Sequence, residues 1–488
     1  MRMIKMALLG GAAMAVTAAG AHANDLDALK AQIEELNTRM AAMETAPSVP
    51  AGYQLIAVSE GELQQAPGLG MTARELAAYG NKATIISVLP TADAPAGTTI
   101  SWSGFARAGL VYENSSVDYS ADVLDADGES VGTLDLDGDP DTDPIDLPLS
   151  VDSDEDDIDV KARGEIRVKA ATDTAVGEVG VDIRLRGNFN GNGNADAYMD
   201  VAWGYWSMTP ELTFGGGYAG SLGNIGYGYD GACTCHYTDN ADLAFDPGDT
   251  TQMRLSYASG PISFAVALED ASARLGADDF GANDAGVNGD RLGAAGEMKY
   301  SGDAFSGEVS AVWRDTDEDA TGSDARWQVG AGLGFGLGDI ANLSIAAAMG
   351  EGPTTVVDEG EIVAGAPYNQ SYWGVTALAS FKMTDEMHVE LAGGYKNREG
   401  DEFDVAVELG GDLDGDWSSD GAEYETYGVM GGIYYTPVDQ LTIGVEAEWY
   451  TTSLELTLDE SIDADARSVE IERDADTFSI DLVSVWRF

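Results

Sequence analysis

From Ile100 to the last residue, apolar and polar positions alternate with a period of two. Around Asp182 the chain sets Asp182, Arg184 and Arg186 against Val181, Ile183 and Leu185. Near its end, Leu441, Ile443, Val445, Ala447 and Trp449 alternate with Thr442, Gly444, Glu446 and Glu448. A strand turns successive side chains to opposite faces, so each stretch separates an aliphatic face from a charged or small one. At about ten residues apiece, such strands are long enough to cross a bilayer when tilted.

The connections between these stretches sort by length. Short turns fall at Thr172–Ala175, Met208–Glu211, Ser259–Pro261, Ser301–Asp303, Gly336–Asp339, Thr384–Glu386 and Thr436–Asp439. They alternate with long polar loops at Asn114–Asp157, Asn190–Asp196, Gly220–Thr250, Asp270–Asp290, Asp315–Asp324, Gly350–Pro367, Asn397–Ala422 and Thr452–Asp474. Together they join about sixteen strands, an even number with turns on one side and loops on the other, as a transmembrane antiparallel β-barrel requires. A soluble β-sandwich has no reason to sort its connections this way. Aromatic residues recur near strand ends, where two interfacial girdles would place them: Trp102, Tyr112, Tyr198, Trp203, Tyr300, Trp313, Trp327, Tyr368, Trp373, Tyr395, Tyr435, Trp449 and Trp486.

Ahead of Ile100 the pattern changes. A basic start, a short apolar run and Ala21-His22-Ala23 read as a signal peptide over residues 1–23. Leu26, Leu29, Ile33, Leu36, Met40 and Met43 then occupy a and d positions of successive heptads. This predicts a periplasmic α-helical coiled coil over residues 24–46. Its narrow apolar seam needs partner helices, since a lone helix of this length is marginal. Residues 47–99 read as a linker or short periplasmic segment holding one short helix and one strand, with no chemistry assigned. Residues 100–488 are the barrel.

The chain carries 85 acidic against 25 basic residues, a formal net charge of −60, which excludes a nucleic-acid binder acting through a basic field. Its mean hydropathy of −0.14 does not exclude a barrel, because outward and lumen-facing residues average out. No catalytic constellation appears, so no enzyme is expected. The histidines, His22, His236 and His388, are scattered, and no nucleophile-elbow or phosphate-loop motif accompanies them.

Against this acidity, Val160–Ala170 is basic on one face. Lys161, Arg163, Glu165, Arg167 and Lys169 alternate with Val160, Ala162, Gly164, Ile166 and Val168. Arg or Lys facing lipid at the bilayer centre costs roughly 2–4 kcal/mol, so the charged face looks into the lumen. Arg107 from the preceding strand and Arg184 and Arg186 from the following one share that parity, and the seven residues form a basic pore wall. The same arginines could instead pair with Glu165 and Asp182 and stiffen the barrel.

The first loop is rich in acids without Lys or Arg. Asp125, Asp127, Asp135, Asp137 and Asp139 are spaced as Ca²⁺ ligands, although the full EF-hand pattern is absent and a solvated acidic loop reads equally well. No cofactor is required beyond that open calcium site. Cys233 and Cys235, one residue apart, read as a local disulfide ahead of a metal site.

The final strand, DTFSIDLVSVWRF, ends on Phe488, and the first opens ISWSGFARAGLVYE. With the strand count and the long third loop, the chain resembles the sixteen-stranded trimeric general porins of bacterial outer membranes, in the alphaproteobacterial variant with an N-terminal coiled coil. The resemblance implies passive diffusion of small hydrophilic solutes and ions across a Gram-negative outer membrane, and a homotrimer. The implied partners are outer-membrane lipid and lipopolysaccharide, the barrel assembly machinery through Phe488, and peptidoglycan through the coil. It also implies that the third loop folds inside the barrel, where Asp230, Asp239, Asp242, Asp246 and Asp249 would face the basic wall. Net acidity adds a cation preference. The competing functions are a substrate-specific channel and a structural tether to the cell wall.

Overall fold

A sheet in which every strand has two neighbours must close on itself, and the last strand here pairs with the first. The computed structural model describes residues 54–89, 97–124, 128–130, 133–134, 145–146, 149–189, 195–238, 243–270, 292–302, 304–316, 325–355, 367–407, 415–460 and 468–488. The signal peptide and coiled coil lie outside the described residues, as do the five calcium candidates. The chain divides into two compact units, one of residues 59–85 and 100–488, the other of residues 1–58 and 86–99.

Ahead of the barrel come β1 (Leu55–Glu62), helix α1 (Ala73–Tyr79) and β2 (Lys82–Leu89), the two strands pairing with each other. The barrel strands are β3 (Thr98–Leu124), β4 (Leu149–Thr174), β5 (Gly177–Phe189), β6 (Ala195–Ser207), β7 (Leu212–Gly220), β8 (Asp249–Ser259), β9 (Ile262–Asp270) and β10 (Leu292–Ser301). They continue with β11 (Phe305–Asp315), β12 (Ala325–Leu337), β13 (Ala341–Thr355), β14 (Pro367–Lys382), β15 (Met387–Gly400), β16 (Gly415–Val438), β17 (Leu441–Glu460) and β18 (Ser468–Arg487). Each pairs with the next, and β18 closes on β3 from Arg487↔Phe105 to Ser468↔Leu124. Reciprocal bonds between Gly104 and Phe488 (3.2 and 3.1 Å) seal the seam. All seven short turns fall where the length sorting predicts.

The barrel is inside out relative to a soluble fold. Arg167, Asp182, Arg184 and Glu446 are buried, while Leu185, Val266, Leu268, Ile433 and Leu482 point outward and are more than half exposed. So continuous an apolar band is stable only against hydrocarbon. Trp203 departs from the expected girdle. A β-bulge at Asp200 shifts the register between Arg184 and Leu185, which turns Trp203 into the lumen and gives Trp206 the outward place.

Strands also run past the membrane into stretches expected to be loops, namely Asn114–Leu124, Leu149–Asp157, Thr452–Glu460 and Ser468–Asp474. The alternation continues there with its chemistry exchanged. On β17 the outward series passes from Val445 and Trp449 to Glu455 and Asp459, while the inward series passes from Glu446 and Glu448 to buried Leu454, Leu456 and Leu458. On β18, Phe478 and Ile480 give way outward to Glu470 and Glu472, and Val469 and Ile471 are buried inward. The pairs Leu456↔Ile471 and Ile471↔Ala121 place these apolar groups on one inner surface. Outside is now water, so acids face out and aliphatic residues face in.

This boundary has a measurable consequence on a single strand face. Val445→Arg should destabilise the barrel by ~2–4 kcal/mol in urea titrations of protein folded into lipid vesicles. Glu455→Arg, ten residues on, should change it by no more than about 0.5 kcal/mol.

Candidate constriction site

The basic wall forms because β3, β4 and β5 are neighbours whose inward parity carries the charges. Register sets Glu165 opposite Arg186, Arg167 opposite Arg184 and Lys169 opposite Asp182. Two guanidinium groups face to face would repel, and the diagonal carboxylate relieves them. Arg167 Nε donates to both oxygens of Asp182 (2.9 and 3.2 Å), and both side chains are fully buried. Arg186 bonds Glu165 (2.8 Å) and Asp200 (2.7 Å), the latter delivered by the bulge. Arg163 donates to Asn188 (2.6 Å). Arg107 lies over the Tyr237 ring at 4.6 Å and Lys169 over Tyr205 at 5.9 Å. Lys161 contributes its carbonyl, which accepts from Tyr237 Oη (3.2 Å).

The remaining partner comes from ahead of the barrel. Residues 59–85 belong to the barrel's unit, and Ala66, Leu69, Ala78 and Tyr79 pack on its inner surface. Thr72 caps α1 through a capping box: Thr72 Oγ1 accepts from Glu75 N (3.2 Å), and Glu75 Oε2 accepts from Thr72 N (2.8 Å). That leaves Glu75 Oε1 free to pair with Arg184. Tyr79 donates to Glu165 (2.5 Å); burial, with Glu165 beside it, raises its pKa far above the ordinary phenol value, so the proton stays on the tyrosine. Arg487 Nε donates to the carbonyls of Ala77 and Ala78 (3.0 and 3.1 Å), holding the helix end, and Arg254 donates to the Gly68 carbonyl (2.9 Å). Ala66 and Leu69 pack on Val201, Trp203 and Tyr205.

The third loop also lies against the inner surface, across β11 to β17. Its short helix α2 (Gly228–Ala232) starts at a positive-φ glycine, where a Cβ would collide with Thr376 and Ala346. Gly228 N donates to Ser344 (2.9 Å) and Tyr229 N to Thr376 (3.1 Å). Thr234 N donates to Glu390 (3.0 Å), and His236, Tyr237 and Thr238 N all donate to Glu446 (2.7, 2.8 and 3.1 Å). Gln328 and Arg314 bind carbonyls of Gly223 (2.9 Å) and Pro247 (2.8 Å), and Arg314 also pairs with buried Glu269 (3.0 Å). Burial first, then Arg107, Arg487 and Arg74, hold His236 well below the ordinary histidine pKa, so it is neutral.

Of the loop acids, Asp230 pairs with Arg74 of α1 (2.9 Å). Asp246 accepts from Gly248 N (2.9 Å), and Asp249 opens β8. Asp239 and Asp242 lie outside the described residues. Cys233 and Cys235 form a disulfide with a Cα–Cα separation of 5.2 Å. Among the described residues no cluster of His, Cys, Asp or Glu could hold a metal. Sequence reasoning missed Glu75, Arg74 and Tyr79, although Thr72-x-x-Glu75 is a legible capping signature. It also missed Glu390 and Glu446 as loop anchors, for which strand parity alone gives no signal.

Residues 145–476 match a family model described as a porin subfamily. No curated protein sequence matches. Among solved structures, a loop L8 deletion mutant of OmpT, an outer membrane protein of Vibrio cholerae, is 11% identical over 80% of this chain and 99% of its own, with a TM-score of 0.45. An anion-selective porin from Comamonas acidovorans is 10% identical over 80% and 100%, with a TM-score of 0.41.

Two substitutions separate the wall from the loop. Asp182→Asn strands a buried guanidinium and should cost about 3–5 kcal/mol of barrel stability, read by urea unfolding in vesicles. His236 N donates to one oxygen of Glu446 and Tyr237 N and Thr238 N to the other, so Glu446→Gln sets an amide NH2 against at least one backbone donor and should free the loop instead. Hydrogen exchange at residues 236–238 should accelerate at least about tenfold while barrel strands keep their protection.

Proposed function

Because this chain belongs to the porin subfamily, we propose that it is a passive diffusion channel for small hydrophilic solutes and ions, with a preference for cations. The family points to a non-enzymatic channel in the outer membrane of a Gram-negative bacterium. The observation that carries the cation preference is the local balance of the basic wall. Arg167, Arg184 and Arg186 each meet a carboxylate, and Arg107 and Lys169 rest on aromatic faces. A wall paired in this way projects little positive field along the lumen. The outer faces of β17 and β18 beyond the membrane carry Glu455, Asp459, Glu470 and Glu472, and the whole chain has a net charge of −60. The field that an approaching ion meets is therefore negative.

The wall's Lys161 and Arg163 and the loop acids Asp239, Asp242, Asp246 and Asp249 complete the proposed constriction. Calcium bound by the first-loop aspartates would reduce the negative field at the mouth. The heptad seam of residues 25–44 supports a homotrimer, with peptidoglycan as the partner of the coil and lipopolysaccharide and the assembly machinery as partners of the barrel.

Planar-bilayer reversal potentials under a KCl gradient test the preference. Potassium should be favoured over chloride at about 0.1 M salt, and the preference should shrink near 1 M, where the screening length falls from about 10 to 3 Å. An anion preference at low salt would remove the charge argument.

A further inference from the structure

The segment ahead of the barrel packs against one side of the lumen at its mouth. Lys82 pairs with Asp439 in the turn between β16 and β17 (3.0 Å), so residues 80–82 sit at the end of the barrel that carries the short turns. From there α1 reaches inward to Arg184 and Glu165, and Leu69 reaches across to Trp203. Tyr79 and Ala78 pack with Phe105, Val483 and Val485, lumen-facing residues on either side of the closing seam. The segment thus covers β3 to β8 and β18. Opposite it, at the same end, a hollow of about 310 Å³ remains, lined by Asp339, Asn342, Ser380, Lys382, His388 and Thr436.

Two adjacent helix residues bind opposite charges. Glu75 meets Arg184 of the wall, and Arg74 meets Asp230 of the third loop (2.9 Å) while also donating to the Thr238 carbonyl (3.5 Å). The helix therefore bridges the two charged surfaces that a permeating ion would otherwise find facing each other.

We propose that residues 59–85 form a selectivity plug: α1 covers the basic wall, Glu75 and Arg74 determine which ions pass, and transport is confined to the opposite half of the mouth. This rests on the channel reading above and names the chain's own segment as the element that narrows it. Its sign follows from the pairs. Loss of the Glu75 charge exposes Arg184 and favours anions, and loss of the Arg74 charge exposes Asp230 and favours cations. A helix that only filled space away from the ion path would move neither.

The test uses the full chain in planar bilayers. Leu63 N bonds the Asn81 carbonyl (2.8 Å), so the ends of the plug already lie side by side and residues 64–80 can be replaced by two glycines. This variant should raise single-channel conductance at least about twofold. Glu75→Gln and Arg74→Gln, which retain the helix, should displace the reversal potential in opposite directions, toward anions and toward cations respectively. A conducting parent protein with unchanged conductance after the replacement, or point variants that shift together or not at all, overturns the plug and leaves the channel standing. If neither the parent nor the replacement conducts, the channel reading itself fails and the plug with it. A silent parent opened by the replacement supports both.

Discussion

Hydrocarbon on the outside of the barrel is the constraint from which the rest follows. It forces every charged side chain of a spanning strand inward, into a narrow volume shared with charges from the other strands. A guanidinium brought there without a partner is costly, and removing one member of a buried pair costs more than the pair contributes. The β3–β5 wall meets this with carboxylates on β4, β5 and the neighbouring β6. Asp182 lies diagonal to Arg167, Glu165 lies opposite Arg186, and a one-residue bulge brings in Asp200. The bulge also carries Trp203 into the lumen, where Arg254 stacks on it at 5.2 Å. One register shift thus supplies a counter-charge and an apolar seat for Leu69.

The same constraint explains why two chain segments enter the lumen from opposite ends. The third loop satisfies β15 and β17, whose Glu390 and Glu446 would otherwise be buried acceptors, with a series of backbone N–H donors. The pre-barrel segment supplies partners to β5 and β8, whose Arg184 and Arg254 take Glu75 and the Gly68 carbonyl. Each segment brings partners to the strands nearest it. They meet at Arg74 and Asp230, so displacing either one exposes charge on the other.

How much of this was legible depended on whether the signal was local. Strand existence, the sorting of turns and the parity of Arg107, Arg167 and Arg184 followed from a period of two, which one strand reports by itself. The partner of Arg184 did not, because Glu75 lies 109 residues away and nothing in TARELAAY shows which surface it meets. The bulge at Asp200 was equally hidden: it changes parity without changing composition. Strand ends were misplaced at Asn114–Leu124 and Thr452–Glu460 for a different reason. A polar composition there read as loop, although the alternation continued with its faces exchanged.

That exchange also resolves the conflict between an acidic chain and a basic stretch. A residue's sign follows the medium on its side of the sheet. In the membrane zone charges of both signs turn inward, where Arg167, Arg184 and Arg186 meet carboxylates, Arg107 and Lys169 meet aromatic rings, and Glu390 and Glu446 meet backbone N–H groups. Beyond it, the outward face meets water, and there β17 and β18 carry Glu455, Asp459, Glu470 and Glu472 without a basic residue among the outward positions between them. Partners within the lumen offset much of the charge there, whereas the outward acids of β17 and β18 stand in water. The acids acting on an approaching ion are then those at the rim, while the basic side chains of β4 find their partners within the sheet and Arg107 of β3, Glu165 of β4 and Arg184 of β5 meet the lumen's two occupants.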